Sequence, residues 1–289
     1  MRPLDTILYS STTVRVGAFR CPVDDPRFRD SGPIQGHLVA FPRTGVWIKQ
    51  AGSPPVVADQ RIVTIYNRGR EYRRAPLSTV GDRCDWFAVA PEIAVAIARE
   101  HDARAPEDPD RTFRFEWAPS DPSLYLRQRR LFHRLERGGI DRLEVEEEVL
   151  GLIGAVLGRA AGAATPPTTI GRSAKARRDL VEGARAELAR SLDQPTDVAN
   201  LAARLGSSPY HLCRVFRKET GLTLHGYRLD LRLRAAVERL ADPDVRLSRL
   251  AFELGFSSHS HFTSVLRSRF GFTPSACRAE LCALVGPRG

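Results

Sequence analysis

A six-residue string occurs twice in this chain. Leu201–Gly206 reads L-A-A-R-L-G, and Leu250–Gly255 reads L-A-F-E-L-G, 49 residues later. The segments behind them match as well: S-S-P-Y-H-L-C-R-V-F-R-K-E-T-G and F-S-S-H-S-H-F-T-S-V-L-R-S-R-F-G. At an offset of 50, Leu212 aligns with Phe262, Phe216 with Leu266 and Gly221 with Gly271, so the extra residue falls in the turn. Each copy predicts a short apolar helix stopped by a glycine that is free to take positive φ. A serine cap follows, with Ser207 and Ser257 as the candidates, and then a second helix burying two apolar residues four apart. That is the pattern of a helix-turn-helix, made twice.

The opposite face of each second helix keeps small or hydrogen-bonding residues that fit a DNA major groove. Between the copies, Thr223 to Leu240 is a capped, amphipathic run without proline. Its length of roughly 27 Å, at ~1.5 Å per residue, suits holding two reading helices near the ~34 Å that separates successive major grooves on one DNA face.

These residues resemble the AraC/XylS family of bacterial transcription regulators. The resemblance covers about Leu180 to Arg278 and includes Y-R-L-D-L-R-L-R-A-A in the linking helix, G-F-S-S-H-S-H-F in the second turn and G-F-T-P-S-A-C-R at the end. It implies base contacts from Tyr210, Cys213 and Arg214 in the first motif. In the second motif it implies them from His259, Ser260, Thr263 and Ser264. Arg214 is the strongest candidate, because a guanidinium grips guanine bidentately, with a phosphate clamp or a surface ion pair as the alternative. Many relatives carry Arg where this chain has Ser264, so the second motif is expected to read fewer bases. Ser208, His211 and Ser258 join the expected DNA face. Arg217, Lys218, Arg267 and Arg269 are candidates for phosphate contact, although a solvated basic face explains them too.

Charge agrees with that placement. The chain of 289 residues carries 44 Lys or Arg against 34 Asp or Glu, net +10. Residues 173–289 hold 19 basic and 12 acidic residues, net +7, which leaves +3 for residues 1–172. The excess cation lies where an anionic partner would bind. No apolar run reaches the ~20 residues of a membrane span. Met1 to Ser10 lacks the basic start and apolar stretch of a secretory signal, so a cytoplasmic protein is expected.

The linker is expected at 159–172, where Gly, Ala, Thr and the pair Pro166-Pro167 give no hydrophobic period. Ahead of it, Thr12–Phe19, His37–Phe41, Val46–Gln50, Arg61–Tyr66 and Cys84–Val89 read as short strands, with a short helix from Pro91. From Asp121 to Arg159 the apolar residues recur at helical spacing around Gly138-Gly139. The expected class is therefore α+β. With the family resemblance, 1–118 becomes a cupin-like effector-binding β-barrel, 119–158 a helical dimerisation hairpin and 173–289 an all-α double helix-turn-helix domain. The implied partners are double-stranded promoter DNA, RNA polymerase, a small-molecule effector and a second copy of the chain, with activation the implied outcome and repression the alternative.

Phe41, Trp47, Tyr66, Tyr72, Arg74, Cys84 and Trp86 are candidates to line the effector cavity, with ordinary core packing as the alternative. Arg68, Arg70, Arg73 and Arg74 near Tyr72 hint at an anionic effector, and a solvated strand face accounts for them equally. No metal or other cofactor is expected. A catalytic cupin begins G-x5-H-x-H, whereas here Val39 stands two residues after His37, and His101 and His133 are distant. An enzyme is disfavoured for the same reason, and no G-x-S-x-G occurs. An alkyl-transfer repair protein would need four amino-terminal cysteines, and only Cys21 and Cys84 precede the linker, with Cys213, Cys277 and Cys282 after it. The remaining alternative is a redox-sensing regulator using Cys21 and Cys84, which requires their sulfurs to lie close together.

Overall fold

The computed structural model describes residues 4–106, 108–163, 172–192, 194, 196–242 and 244–282. The chain divides into two compact units, Met1–Pro166 and Pro167–Gly289.

In the first unit the strands are β1 (Asp5–Ser10), β2 (Val14–Cys21), β3 (His37–Pro42), β4 (Val46–Gln50), β5 (Val56–Ala58), β6 (Ile62–Tyr66), β7 (Tyr72–Pro76), β8 (Asp82–Val89) and β9 (Trp117–Pro119). They form two antiparallel sheets, one ordered β1-β2-β8-β3-β6-β9 and the other β5-β4-β7. Helix α1 (Pro91–His101) follows β8, and β9 is followed by α2 (Pro122–Arg137) and α3 (Arg142–Gly162).

Strand alternation decides what each face of the large sheet meets. Val14, Val16, Val39, Phe41, Val63, Ile65, Phe87 and Val89 point to one side and share a core with the buried residues of the three helices. Their neighbours point the other way, where Cys21 and Ile62 pack with Val46, Ile48 and Ala58 of the small sheet. Asp121 caps α2, accepting from the Leu124 amide at 2.8 Å, and Asp141 caps α3 through the Leu143 amide at 2.8 Å.

Two expectations need correction. The six-strand sheet continues through β9 to Pro119, so residue 118 is inside a strand rather than at a boundary. Helix α3 runs on to Gly162, which removes 159–162 from the expected linker, because Arg159 and Ala160 still pack as helix residues. Of the rest of that linker, 164–171 lies outside the described residues.

The second unit is helical: α4 (Arg172–Arg190), α5 (Val198–Arg204), α6 (Pro209–Thr220), α7 (Leu224–Leu240), α8 (Leu247–Glu253), α9 (His259–Phe270) and α10 (Pro274–Cys282). Leu201, Leu212, Val215 and Phe216 of the first repeat pack with α4 and with Leu224, Tyr227 and Leu231 of α7. No described helix is long and apolar enough to cross a membrane.

Candidate nucleic-acid interface

The two copies fold into the same local structure for the same reasons. Asp197 caps α5, which ends in Gly206 at φ +62°, and the reversal leads into α6. Helix α8 ends likewise in Gly255 at φ +74° before α9. An L side chain would be strained at either position.

The caps are Ser208 and Ser258, each one residue beyond the serine expected. Ser208 Oγ accepts from the His211 amide at 3.2 Å, and Ser258 Oγ from the His261 amide at 3.1 Å. Pro209 explains the first shift: lacking an N–H, it suits the first helical position and puts the cap on Ser208. Ser207 Oγ instead donates to the Ser208 carbonyl, and Ser257 Oγ lies 3.1 Å from His261 Nδ1.

Helix α6 buries Leu212, Val215 and Phe216 and exposes Tyr210, His211, Cys213, Arg214, Arg217 and Lys218. Tyr210 is the most exposed large apolar side chain among the described residues, at 78%. A cleft of about 510 Å³ runs between this face and the start of α7, lined by Tyr210, Cys213, Arg214, Arg217, Lys218, Thr223 and Leu224. Thr223 and Leu224 are additions to the residues expected at this face. The Thr223 cap, whose Oγ1 accepts from the Gly226 amide at 3.0 Å, was the signal available for them. Arg217 and Lys218 lie in the last turn of α6, where cations also offset the helix dipole.

Helix α9 is the weaker cationic surface. His259, Ser260, Ser264, Arg267 and Arg269 are exposed, and Arg267 and Arg269 fall in the last turn. Thr263 behaves differently from the expectation of a base contact: its hydroxyl is buried and makes no hydrogen bond. The residue as a whole is half-buried, so part of its surface stays accessible.

In the first unit, five of the seven effector candidates converge. Tyr66 and Trp86 are buried together with Tyr72 and Cys84 packed against them. Arg74 stacks over Tyr72, its guanidinium carbon 5.6 Å from the ring centre, and pairs with the buried Asp82 at 3.0 Å. Trp86 Nε1 donates to Asp5 Oδ1 at 2.8 Å. Phe41 is on the other side of the sheet, edge-on to Phe87 in the helix-facing core. Trp47 alternates with the buried Val46 and Ile48 and so faces away from the small sheet's inner side. Of the clustered arginines, Arg68, Arg70 and Arg73 pair with Asp110, Glu116 and Asp30 at the surface, and only Arg74 is interior.

The cysteines argue against a redox pair. Cys21 lies opposite Asp82 and Cys84 opposite Phe19, a diagonal relation. Such positions stand ~7–8 Å apart at Cα, beyond the ~7 Å limit for bridging. Burial pushes the Cys84 thiol well up, helped by nearby Asp82, Asp85 and Asp5, and burial raises Cys21 too. Both are therefore thiols, not reactive thiolates, at neutral pH. Iodoacetamide is expected to label native protein first at the exposed Cys213 and more slowly at the half-buried Cys84, while the buried Cys21 and Cys277 stay protected until unfolding. Peptide mapping checks this; modification of Cys84 ahead of Cys213 would contradict it. His37 bonds Asn67, and His133 lies between Arg129 and Glu136. Among the described residues no group of three or more His, Cys, Asp or Glu is arranged to hold a metal.

A family model described as a helix-turn-helix domain matches residues 201–280. The chain is 34% identical over 90 residues to the regulatory protein SoxS of Escherichia coli (strain K12), covering 31% of this chain and 84% of SoxS. It is 32% identical over 88 residues to the HTH-type transcriptional regulator GlxA of Rhizobium meliloti (strain 1021), covering 30% of this chain and 27% of GlxA. The match thus spans 27% of GlxA's length and between 30% and 36% of three other relatives. Among solved structures, a transcriptional regulator with an AraC-type DNA-binding domain from Chromobacterium violaceum is 26% identical, covering 39% of this chain and 97% of that one, with a TM-score of 0.35.

Proposed function

Because the chain belongs to the AraC/XylS family of DNA-binding transcription regulators, we propose that it reads promoter DNA with both helix-turn-helix motifs under the control of a small molecule held by its first unit. The family is one of regulators and not of enzymes. The observation that carries the proposal is the pair of capped helices α6 and α9, each with a buried apolar face and an exposed polar one, in two motifs joined by the single helix α7. Helix α7, with 17 residues, is about 26 Å long at ~1.5 Å per residue.

In this reading Tyr210, Cys213 and Arg214 contact bases, while Arg217 and Lys218 neutralise phosphates beside the cleft. The second motif contributes His259, Ser260, Ser264 and Arg267, with fewer cations and a smaller share of the sequence readout. The two sheets of the first unit form a cupin-like barrel, and the effector contacts Tyr66, Tyr72, Arg74, Cys84 and Trp86 between them. The hairpin of α2 and α3 pairs two copies, and effector binding shifts how the DNA-binding units of the dimer are presented to the promoter and to RNA polymerase. Activation is the favoured outcome.

The sharpest test is Arg214→Ala. Specific binding is expected to weaken by ~1–3 kcal/mol, with non-specific binding changed much less. Gel-shift titrations on selected and random duplexes at one salt concentration measure both, and equal losses on the two would make Arg214 a phosphate contact. Genome-wide footprinting of the bound DNA tests the function as a whole, because the genes beside the bound sites narrow the effector class.

A further inference from the structure

Arg232 lies on α7, outside both reading helices, and touches the backbone of both halves of the DNA-binding unit. Its Nε donates to the Leu192 carbonyl at 2.5 Å, and its Nη1 donates to the Gly255 carbonyl at 3.0 Å. Leu192 follows the end of α4, which packs on the first motif, and Gly255 is the turn of the second motif. Arg228, one turn earlier, also reaches the Leu192 carbonyl, at 3.4 Å from Nε and from Nη2.

Each acceptor is available for a physical reason. The Leu192 carbonyl lies two residues past the last residue of α4, near the negative end of that helix's dipole, where cations are favoured. The left-handed backbone of Gly255, φ +74°, orients its carbonyl away from the α8 ladder. A planar guanidinium serves two such fixed acceptors at once, which an ammonium on a flexible stem does not. Two further contacts each secure α7 to one half. Tyr227 packs edge-on to Phe216 with ring centres 5.3 Å apart, and Arg239 pairs with Glu253 of α8.

We propose that Arg232 is a positioning residue that fixes the phase between the two reading helices, so that simultaneous binding of two half-sites depends on it. The inference rests on the reading that both motifs engage one duplex. Two linked binding modules gain affinity through effective concentration, and the gain is greatest when the connection holds them at the spacing of their sites. Loosening the clamp lowers that gain and broadens the spacings accepted, without altering the face of either reading helix.

The test uses the full chain and duplexes recovered from a random-sequence library with the wild-type protein. A spacing series inserts or removes one to three base pairs between the half-sites, and a further duplex carries the first half-site alone. Wild type is expected to bind with a sharp spacing optimum. Arg232→Ala and Arg232→Lys are each expected to bind the optimal duplex about tenfold more weakly with a flattened spacing profile, while half-site affinity stays within about twofold of wild type. The lysine variant keeps the charge and one possible bond, so it remains informative where the alanine variant folds poorly, and thermal melting identifies that case. Variants that keep the wild-type optimum and affinity overturn the clamp. So does an equal loss on the half-site and the two-site duplex with an unchanged profile, which is the mark of a merely structural residue. Wild-type protein indifferent to the second half-site fails the two-motif reading itself, and is recognised before any variant is made.

Discussion

Asp85→Ala is expected to destabilise the first unit by about 3–5 kcal/mol, the cost of removing one partner from a buried ion pair. Asp85 is the acid on the helix-facing side of β8, between positions that carry Cys84 and Trp86 to the other side. It receives Gln128 Nε2 at 2.8 Å and Arg129 Nη1 at 2.5 Å, and Arg43 Nη1 lies 3.7 Å away. The Arg129 side chain is wholly buried, so without the carboxylate a desolvated cation loses its counter-charge. Arg129 Nη2 also lies 2.9 Å from His133 Nε2, and His133 Nδ1 lies 3.1 Å from Glu136, which extends the disturbance along α2.

Urea unfolding followed by tryptophan fluorescence measures the effect cleanly. All three tryptophans, Trp47, Trp86 and Trp117, belong to the first unit. The double variant Asp85→Leu with Arg129→Met is expected to recover most of the loss, since an apolar pair of similar volume often replaces a buried ion pair at little cost. A double variant as unstable as the sum of the singles would mean that the two residues act independently.

The contrast between the two units explains how much was readable from the residues. The reading helices were legible because the same apolar spacing occurs twice, and chance does not repeat Leu212–Phe216 as Phe262–Leu266 beside matching glycines. The Asp85 cluster was not, because an aspartate in a strand and one arginine among many on α2 carry no pattern that joins them across 44 positions. Strand parity limited the effector candidates: a shift of one residue sends a side chain to the opposite face, which separates Phe41 from Ala40 and Trp47 from Ile48. β1 and β7 carry little strand signal in the sequence, because β1 is mostly exposed and β7 reads Y-R-R-A-P, without the apolar alternation that marks a strand buried on one side. Thr263 shows the same limit within a helix. Its motif position pointed to DNA, and its hydroxyl turned inward.

Phe216→Ala is expected to cost the second unit about 3–5 kcal/mol and to abolish DNA binding at temperatures where the wild type binds. The ring is fully buried among Val181, Leu188, Leu201, Leu212 and Leu231, and packs edge-on to Tyr227 of α7. Its removal leaves a cavity where α4, α5, α6 and α7 meet, and the loss combines transfer free energy with vanished packing contacts. Because the second unit contains no tryptophan, its transition is followed by far-ultraviolet circular dichroism, while the fluorescence transition of the first unit is expected to stay at the wild-type urea concentration. Arg214→Ala provides the opposite signature, with unchanged melting and weakened specific binding. The pair separates the two sides of α6: the buried side gives the helix its place, and the exposed side gives it a sequence to read. A Phe216→Ala protein that melted like wild type yet lost DNA binding would put that ring on the DNA side and reverse the assignment of both faces.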